Sequence, residues 1–401
     1  MSREMKHSGI PWIGEIPKEW ELENIGSCLK EVHDLNIDCS EDNALQFKMG
    51  TIISKKNGDS KYNPETLESY NKVKCGDIVI NGLNLSFDFI SMRIGQVRET
   101  GVITSAYLTI RPLPHLHSDY VTYLFKGYDV CKALHGMGKG LRQTLSYKEF
   151  RKYLIFHPSY SEQQKIASFL DRKCSEIDEM VVLQEKIIEE LKAYKQSVIT
   201  EAVTKGLNPD VPMKDSGIEW IGEIPKSYNC SKLKYYIKID SGDAISNELI
   251  SREGKYPVYG GGEIMGYHTV CNTSKDCLII GRVGARCGCV TMPNIECWAT
   301  DNALVLKTSL DLKYMYYLLT GLNLNRLNIS NAQPLITATK VKNEHVPIPP
   351  LSEQQSIASY LDEKCTEIDN LISIKQSKIE SLKEYKKSII YEYVTGKKEV
   401  I

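Results

Sequence analysis

The chain has 401 residues, enough for roughly two or three domains of ordinary size. With 42% hydrophobic and 25% charged residues it has the composition of a folded protein, which excludes global disorder. The 50 Lys and Arg against 51 Asp and Glu give a formal net charge of −1, which excludes a uniformly basic DNA-coating protein but permits a local basic face. No apolar run is long enough for a membrane span and the first residues are unlike a leader, so we expect a cytoplasmic protein without membrane partners, whose twelve cysteines are reduced.

Two sequence blocks each occur twice. The short block reads SGIPWIGEIPK at 8–18 and SGIEWIGEIPK at 216–226, identical at ten of eleven positions. The long block begins SEQQKIASFLDRKCSEID at 161–178 and SEQQSIASYLDEKCTEID at 352–369, and 25 of the 44 positions aligned from Ser161 are identical. The segments between the blocks share little sequence. Two constant frames therefore carry two different inserts.

The long block has the pattern of a long amphipathic helix. Neither Gly nor Pro interrupts residues 161–204, and Ser161 with Gln164 resembles a capping box. Its apolar residues form a heptad stripe, namely Leu170, Ile177, Leu191 and Val198, with Met180, Ile187 and Tyr194 three positions later. One apolar seam on so long a helix predicts a partner helix, and the second copy is the expected partner. The alternative is a helix folded onto its own insert.

The inserts are predicted to be mixed domains with many strands, each with one helix, at 120–134 and 312–322. We therefore predict an α/β (α+β) fold class with an internal repeat. The predicted segments are a repeat block at 1–20, a first domain at 21–158, a long helix at 159–205, a linker with the second repeat block at 206–228, a second domain at 229–350 and a second long helix at 351–401.

The sequence contains no clear catalytic or cofactor motif. The segment GMGKGLRQT at 136–144 lacks the spacing and the hydroxyl residue of a phosphate-binding loop. The cysteines at 277, 287, 289 and 297 have no paired CxxC and no suitably spaced histidine, so they are interpreted as ordinary strand cysteines rather than zinc ligands. The eight histidines are dispersed, and an Asn-Pro-Pro-aromatic tetrapeptide for amino methylation is absent. We assign no catalytic residue and no metal ligand.

Binding chemistry is better represented. Five of the residues from Lys139 to Lys152 are basic, and Arg282 and Arg286 flank glycines at a predicted strand turn. A guanidinium there can bind a guanine edge through two hydrogen bonds or grip a phosphate, and Asn or Gln can pair with adenine. The alternative for any one of these residues is ordinary loop polarity.

Together, the paired short blocks, the paired SEQQ helices and the YPVYGGG…GRVGA…WATDNALVL segment resemble the specificity (S) subunit of type I restriction–modification systems, over essentially the whole chain. The resemblance implies two target recognition domains that read the halves of a bipartite site in double-stranded DNA, with the long helices paired antiparallel as a coiled-coil ruler. It implies no catalytic activity and no cofactor in this chain. Two modification (M) subunits would carry S-adenosylmethionine and methylate adenine, and restriction (R) subunits would add ATP- and Mg-dependent translocation and cleavage.

Within this resemblance we predict DNA contacts in the loops of both domains. In the second domain the best-matching segments contain Tyr259, Arg282, Arg286 and Asn302. The first domain departs more from the family pattern, and its candidates are Lys55, Lys56, Asn84, Arg93, Arg142 and Gln143. The partner surface is expected on exposed faces of the long helices and on the short blocks with Trp12 and Trp220, for which a structural role is an equal alternative.

Two other functions remain as alternatives. A stand-alone DNA methyltransferase would need a cofactor motif, and a coiled-coil structural scaffold would leave the two unlike inserts unexplained. If the helices act as a ruler, four added residues lengthen a helix by about 6 Å. At about 3.4 Å per base pair, the spacer between the half-sites should then grow by one or two base pairs.

Overall fold

The computed structural model describes residues 3–55, 64–89, 91–139, 143–328 and 335–400. The chain divides into two compact units. The first unit combines Met1–Leu183 with Lys378–Ile401, and the second unit is Gln184–Ser377. Each unit thus contains one short block, one insert, the start of one long helix and the end of the other. The division passes through both long helices, so the predicted segment boundaries stay predictions.

In the first unit the strands are β1 (Met5–His7), β2 (Glu15–Pro17), β3 (Glu21–Asn24), β4 (Leu29–Glu31), β5 (Leu45–Lys48), β6 (Thr51–Ser54), β7 (Tyr70–Val73), β8 (Ile78–Ile80), β9 (Ile94–Gln96), β10 (Gly101–Thr104), β11 (Leu108–Pro112) and β12 (Leu154–His157). The helices are α1 (Ile25–Cys28), α2 (Pro64–Leu67), α3 (Ser118–Val130) and α4 (Tyr147–Phe150). The long helix α5 (Tyr160–Lys205) begins in this unit and ends in the second.

In the second unit the strands are β13 (Met213–Asp215), β14 (Glu223–Pro225), β15 (Asn229–Lys232), β16 (Ile237–Ser241), β17 (Tyr256–Tyr259), β18 (Ile264–His268), β19 (Leu278–Gly281), β20 (Val290–Thr291), β21 (Trp298–Ala299), β22 (Ala303–Thr308) and β23 (His345–Ile348). The helices are α6 (Leu312–Leu322) and α7 (Ala338–Asn343). The long helix α8 (Leu351–Val394) begins in this unit and ends in the first.

The two inserts have the same central sheet although they share little sequence. Its strand order is β4-β11-β8-β9 in the first unit and β16-β22-β19-β20 in the second, and every neighbouring pair is antiparallel. In each unit a two-stranded ribbon, β3 with β12 or β15 with β23, leads into a long helix. The mixed fold class and the internal repeat are therefore confirmed, and the repeat extends to the inserts.

A buried tyrosine joins each insert to the end of a long helix. The hydroxyl of Tyr120 on α3 lies 3.2 Å from the carbonyl oxygen of Phe156 and 3.4 Å from that of Val394 at the end of α8. The last carbonyls of a helix have no partner within the helix, so an outside donor is needed when they are buried. The second unit repeats this arrangement with Tyr314, Pro347 and Val203.

The long helices are antiparallel within each unit. In the first unit the rings of Phe169 and Tyr393 are 4.4 Å apart, and further along α5 the Asp178 carboxylate lies 2.6 Å from the ammonium of Lys386, which is earlier in α8. The second unit has the same ion pair in the repeated positions, with Lys195 2.6 Å from Asp369. The helix predicted over 161–204 is confirmed as α5, and its copy as α8.

The apolar stripe is buried only in part. Leu170 and Ile177 are buried, but Met180 and Tyr194 are exposed, as are their copies Leu371 and Tyr385. The periodicity alone does not distinguish these four exposed positions from the buried ones. Part of the stripe is covered where α3 and α6 lie against the long helices, as the contact of Tyr123 with Asp171 and that of Gly321 with Val203 illustrate.

The predicted capping box at Ser161 is also wrong, because α5 starts one residue earlier and Ser159 accepts the hydrogen bond from the Glu162 N–H. The buried hydrogen bonds at the start of α5 are made by the neighbouring Gln163 and not by Gln164. Gln163 is fully buried, accepts a hydrogen bond from the His117 N–H at 2.7 Å and donates to the Pro158 carbonyl at 2.9 Å. Gln354 repeats both bonds at the start of α8, with Asp311 and Pro349.

We predict that Gln163→Ala lowers the free energy of unfolding by about 2–3 kcal/mol, because it leaves buried backbone groups without partners. The matched control is Gln164→Ala, which removes an exposed amide from the next position and should change stability by less than about 0.5 kcal/mol. Urea denaturation of both variants checks this. Equal losses would contradict the assignment of the capping role to Gln163.

Candidate nucleic-acid interface

In the second unit, several strand ends meet at one edge of the sheet. The register pairs Gly281 at the end of β19 with Ala303 at the start of β22, and Tyr259 at the end of β17 with Ala299 at the end of β21. The turns that follow or precede these residues are consequently neighbours. Four separate stretches of sequence form a single loop cluster, which we call the second loop cluster (260–263, 282–289, 300–302 and 335–336).

Arg282 and Asn302 are adjacent in this cluster. The Arg282 N–H donates to the Asn302 carbonyl at 3.0 Å, and the Arg282 carbonyl accepts from the Ile336 N–H at 2.9 Å. The Arg282 Nε is buried and has no hydrogen-bond partner among the described residues, while one terminal nitrogen lies 3.5 Å from the Asp301 carbonyl. The guanidinium therefore has unused donors beside the exposed Asn302 amide.

Glycines bring the loops of this cluster into contact. A Cβ at Gly281 would lie 2.5 Å from the carbonyl oxygens of both Gly261 and Arg286, closer than any side chain allows. Gly262 has a φ of +108°, which other residues rarely adopt. The glycine-rich pattern noted in the sequence is thus required for backbone approach, and it brings Arg286 next to the turn at 260–263.

Arg286 is held by an ion pair that water can reach. Its Nε lies 3.0 Å from a Glu263 carboxylate oxygen, and the two side chains are 58% and 59% exposed. Exposed ion pairs contribute little stability, so this guanidinium can exchange its partner at small cost. The exposed apolar side chains of Ile264 and Met265 follow directly on β18.

Tyr259 differs from the other candidates because its side chain is buried. It packs with Cys277, Cys297 and neighbouring residues under the loop cluster, and burial raises the pKa of its phenol. It supports the loops from below and offers little surface to a ligand. Burial also raises the pKa of Cys277 to about 11 and of Cys297 to about 12.

The first unit has an equivalent cluster, the first loop cluster (81–89 and 143–145). The Leu85 N–H donates to the Gln143 carbonyl at 3.2 Å and the Leu145 N–H to the Gly82 carbonyl at 2.9 Å, so Asn84 and Gln143 come together. Leu145 and Ile336 are 191 positions apart, the spacing of the long blocks, and make the same contact in their units. The loop with the exposed Asn84 corresponds to the loop with Arg282 and Arg286 in the second unit.

Arg93 is not on this surface, contrary to its expected place among the contacts. It is 1% exposed, and its terminal nitrogens donate to the carbonyls of Asn81, Leu83 and Asp88 at 2.7–2.9 Å. Its guanidinium holds the 81–89 loop in shape from inside. The sequence does not distinguish these roles, because the identity of the residue does not show whether an arginine is exposed or is buried against backbone carbonyls.

The loop held by Arg93 presents Phe87, which is 75% exposed and which the sequence analysis did not single out. The next aromatic residue, Phe89, stacks on His135 with ring centroids 4.5 Å apart. The clustering of two phenylalanines in INGLNLSFDF was the available signal. Lys55 lies at the end of the β5–β6 hairpin and is partly exposed. Lys56 and Arg142 lie outside the described residues.

A second surface lies on the long helices. In the first unit Met180, Leu183 and Tyr385 are exposed, and in the second unit so are Leu371, Ile374 and Tyr194, which occupy the same positions of the repeat. The two tryptophans of the short blocks do not join this surface. Trp12 packs on Tyr128 and Tyr153, and Trp220 lies against Arg326, so both are partly buried.

Within the described residues, no helix is both long enough and apolar enough to cross a membrane.

Comparison with known proteins agrees with this organisation. The family model of the type I restriction modification DNA specificity domain matches residues 225–384. The MjaVIII specificity subunit of a type I restriction enzyme from Methanocaldococcus jannaschii is 24% identical over 95% of this chain and 93% of that protein. A putative MjaX specificity subunit from the same organism is 24% identical over 96% and 95%.

Solved structures share the fold. A chain from work on complex assembly and conformational transition of the type I R-M system aligns with a TM-score of 0.72 and 16% identity over 95% of this chain and 99% of that one. The HsdS subunit from Thermoanaerobacter tengcongensis aligns with a TM-score of 0.52 and 16% identity over 95% and 98%. The chain is therefore similar over almost its whole length to specificity subunits of type I restriction enzymes, and its residues 225–384 match the type I restriction modification DNA specificity domain.

Proposed function

We propose that this chain reads the two halves of a bipartite, asymmetric site in double-stranded DNA. It directs adenine methylation by two M subunits at that site and cleavage by R subunits in the full complex. The chain itself is not catalytic, and S-adenosylmethionine, ATP and Mg belong to the partner subunits. The observation that carries this proposal is the repetition of one sheet with two different loop clusters at its edge. Two sheets of the same strand order that carry different loops are suited to binding two different half-sites.

The second loop cluster has the chemistry for base recognition. Arg282 and Arg286 provide forked donors that match a guanine edge, and Asn302 can both donate to and accept from adenine. Ile264 and Met265 offer apolar contact to a thymine methyl group. Tyr259 acts here as a support, because it is buried beneath the cluster.

The first loop cluster is more polar and less basic. Asn84 and Gln143 are the candidates for base contacts, and the exposed Phe87 is the candidate to stack on bases or to wedge between them. Lys55 belongs to the contacts with phosphate, together with Lys56 and Arg142. Arg93 fixes the loop through three carbonyls, so its loss should affect the whole half-site rather than one base.

The repeated apolar side chains on the long helices fit two copies of one partner. Exposed apolar residues are ordinary when single, but each unit has the same trio at the same repeat positions. A pseudo-symmetric protein that presents one surface twice can bind two identical M subunits. The length of the helices would then set the spacer between half-sites.

Two alternatives make different predictions. A stand-alone DNA methyltransferase would methylate DNA without a partner and would bind the methyl donor. A structural scaffold would assemble with partners but leave their sequence choice unchanged. Base-resolution methylation mapping in a methylation-free host, with the chain and its neighbouring M subunit expressed singly and together, separates all three. A single interrupted motif that needs both proteins supports the proposal, and the same motif from the partner alone refutes it.

We predict that Arg286→Ala relaxes recognition at one position of one half-site by about 5- to 150-fold, since a good two-bond contact contributes about 1–3 kcal/mol of discrimination. Methylation rates on a set of single-base variants of the mapped site measure this. Arg286→Lys is the matched control, because it keeps the charge and loses the fork. Compared with Arg286→Ala, it should restore the affinity for DNA but not the discrimination between bases. Equal rate losses on every sequence for Arg286→Ala would assign the residue to phosphate instead.

We predict that four residues inserted after Lys186 and four after Ser377, the equivalent points of the repeat, lengthen the recognised spacer by one or two base pairs. Each insertion adds about 6 Å of helix and a small rotation, which a paired helix accommodates as a stutter. Methylation mapping gives the new motif directly. An active variant that keeps both half-sites and the original spacing would contradict the role of the helices as a ruler.

We predict that Leu183→Ser removes one M subunit from the complex, Ile374→Ser removes the other, and the double variant removes both. The reason is that each change takes an exposed apolar side chain from one copy of the repeated trio. Val182→Ser is the matched control, since Val182 is 63% exposed but its repeat position is already a serine, Ser373. Mass measurement of the purified complexes gives the stoichiometry. Full binding by the double variant would contradict this surface.

A further inference from the structure

Three potential metal ligands that are far apart in the sequence meet in the first unit. Glu23 lies on β3, His157 ends the neighbouring strand β12, and His115 precedes α3. The His157 Nε2 is 3.3 Å from a Glu23 carboxylate oxygen, and the His115 Nε2 is 3.4 Å from the same oxygen. One ligand atom from each of the three residues lies within 4.8 Å of the other two. No other such group of three or more His, Cys, Asp or Glu occurs among the residues that the structure describes.

These separations match the edges of a metal coordination sphere. Imidazole and carboxylate ligands bind Zn²⁺ at about 2.0–2.2 Å, and two such ligands at a tetrahedral angle are about 3.3–3.5 Å apart. The ligand set of two histidines and one carboxylate is one that zinc uses with an open fourth position. His115 is 45% exposed, so a water molecule or another ligand can approach from that side.

The orientation of the His157 ring also suits a metal ligand. Its Nδ1 lies 3.2 Å from the Pro158 carbonyl oxygen, which can only accept a hydrogen bond, and its Nε2 faces the Glu23 carboxylate. The tautomer that donates from Nδ1 presents Nε2 as a ligand atom on the side of the cluster. Donation from the other ring nitrogen to a carbonyl is also how metal-bound histidines are commonly oriented.

The second unit lacks this cluster, which argues against a general requirement of the fold. By the register of the ribbons and the start of α6, the equivalent positions are Ser231, Ser309 and Ile348. The cluster is therefore a feature added to one unit. It ties together the ribbon that leads into α5 and the segment that leads into α3.

We propose that Glu23, His115 and His157 bind a divalent transition metal ion, with Zn²⁺ as the expected ion. The ion joins the two histidines to the carboxylate, and it fixes the ribbon that leads into α5 to the first insert. This site is independent of the proposed reading of DNA, and it supplies no chemical step.

The test uses the full chain without a histidine tag, freed of metal by a chelator. Titration with Co²⁺ should give the visible absorption of a tetrahedral ion at one equivalent, without the near-ultraviolet band of thiolate ligation, and Zn²⁺ should displace it. The absence of a thiolate band matters because the chain has twelve free cysteines, which could also bind Co²⁺. Calorimetric titration with Zn²⁺ should show one site, and Zn²⁺ should raise the Tm by mass action.

His115→Ala should abolish the cobalt spectrum and the rise in Tm while leaving the fold intact, because this side chain is partly exposed. Glu23→Gln should weaken Zn²⁺ binding at least tenfold, since it removes the charge. The matched control is His33→Ala, an exposed histidine outside the cluster, which should bind like the unchanged chain. Binding that survives His115→Ala unchanged, or no one-to-one binding at micromolar Zn²⁺, would overturn the proposal.

Discussion

The burial of the two long helices is the constraint on which the rest of the structure depends. A helix of 46 or 44 residues with an apolar stripe is stabilised when much of that stripe is covered, and its last carbonyls need outside donors where they are buried. Each unit solves both problems in the same way. The start of one long helix packs antiparallel on the end of the other, α3 or α6 covers the pair, and a buried tyrosine donates to a carbonyl near the helix end.

This arrangement explains why the two inserts could diverge so far in sequence. The repeated blocks contribute the buried glutamine and the helix face that each insert contacts, and these contacts recur in both units. What remains for the insert is a four-stranded antiparallel sheet whose only strong demand is buried apolar side chains on its strands. The loops at the sheet edge make few of these contacts. They are therefore free to differ, as Asn84 in one unit and Arg282 in the other illustrate.

The two units nevertheless differ in how their loops are held. The second loop cluster carries arginines on a glycine-rich backbone, whereas the first uses a buried arginine to shape a loop with an exposed phenylalanine. The histidine and glutamate cluster occurs only in the first unit among the residues described. A repeated frame does not imply repeated chemistry, and each half has acquired its own way to hold its loops.

The sequence by itself determined the repeat, the two long helices, the main helix of each insert (α3 and α6) and the resemblance to specificity subunits, because these depend on local periodicity and on identity between the two copies. Only the tertiary structure decided which stripe residues are buried, since that depends on where α3 and α6 lie against the helices. It also placed Arg93 and Tyr259 inside and Phe87 outside, and it brought Glu23, His115 and His157 together across more than 130 residues of chain. Which residues are buried, and which distant residues meet, depends on contacts between distant segments of the chain. A pattern of period two or 3.6 does not specify those contacts.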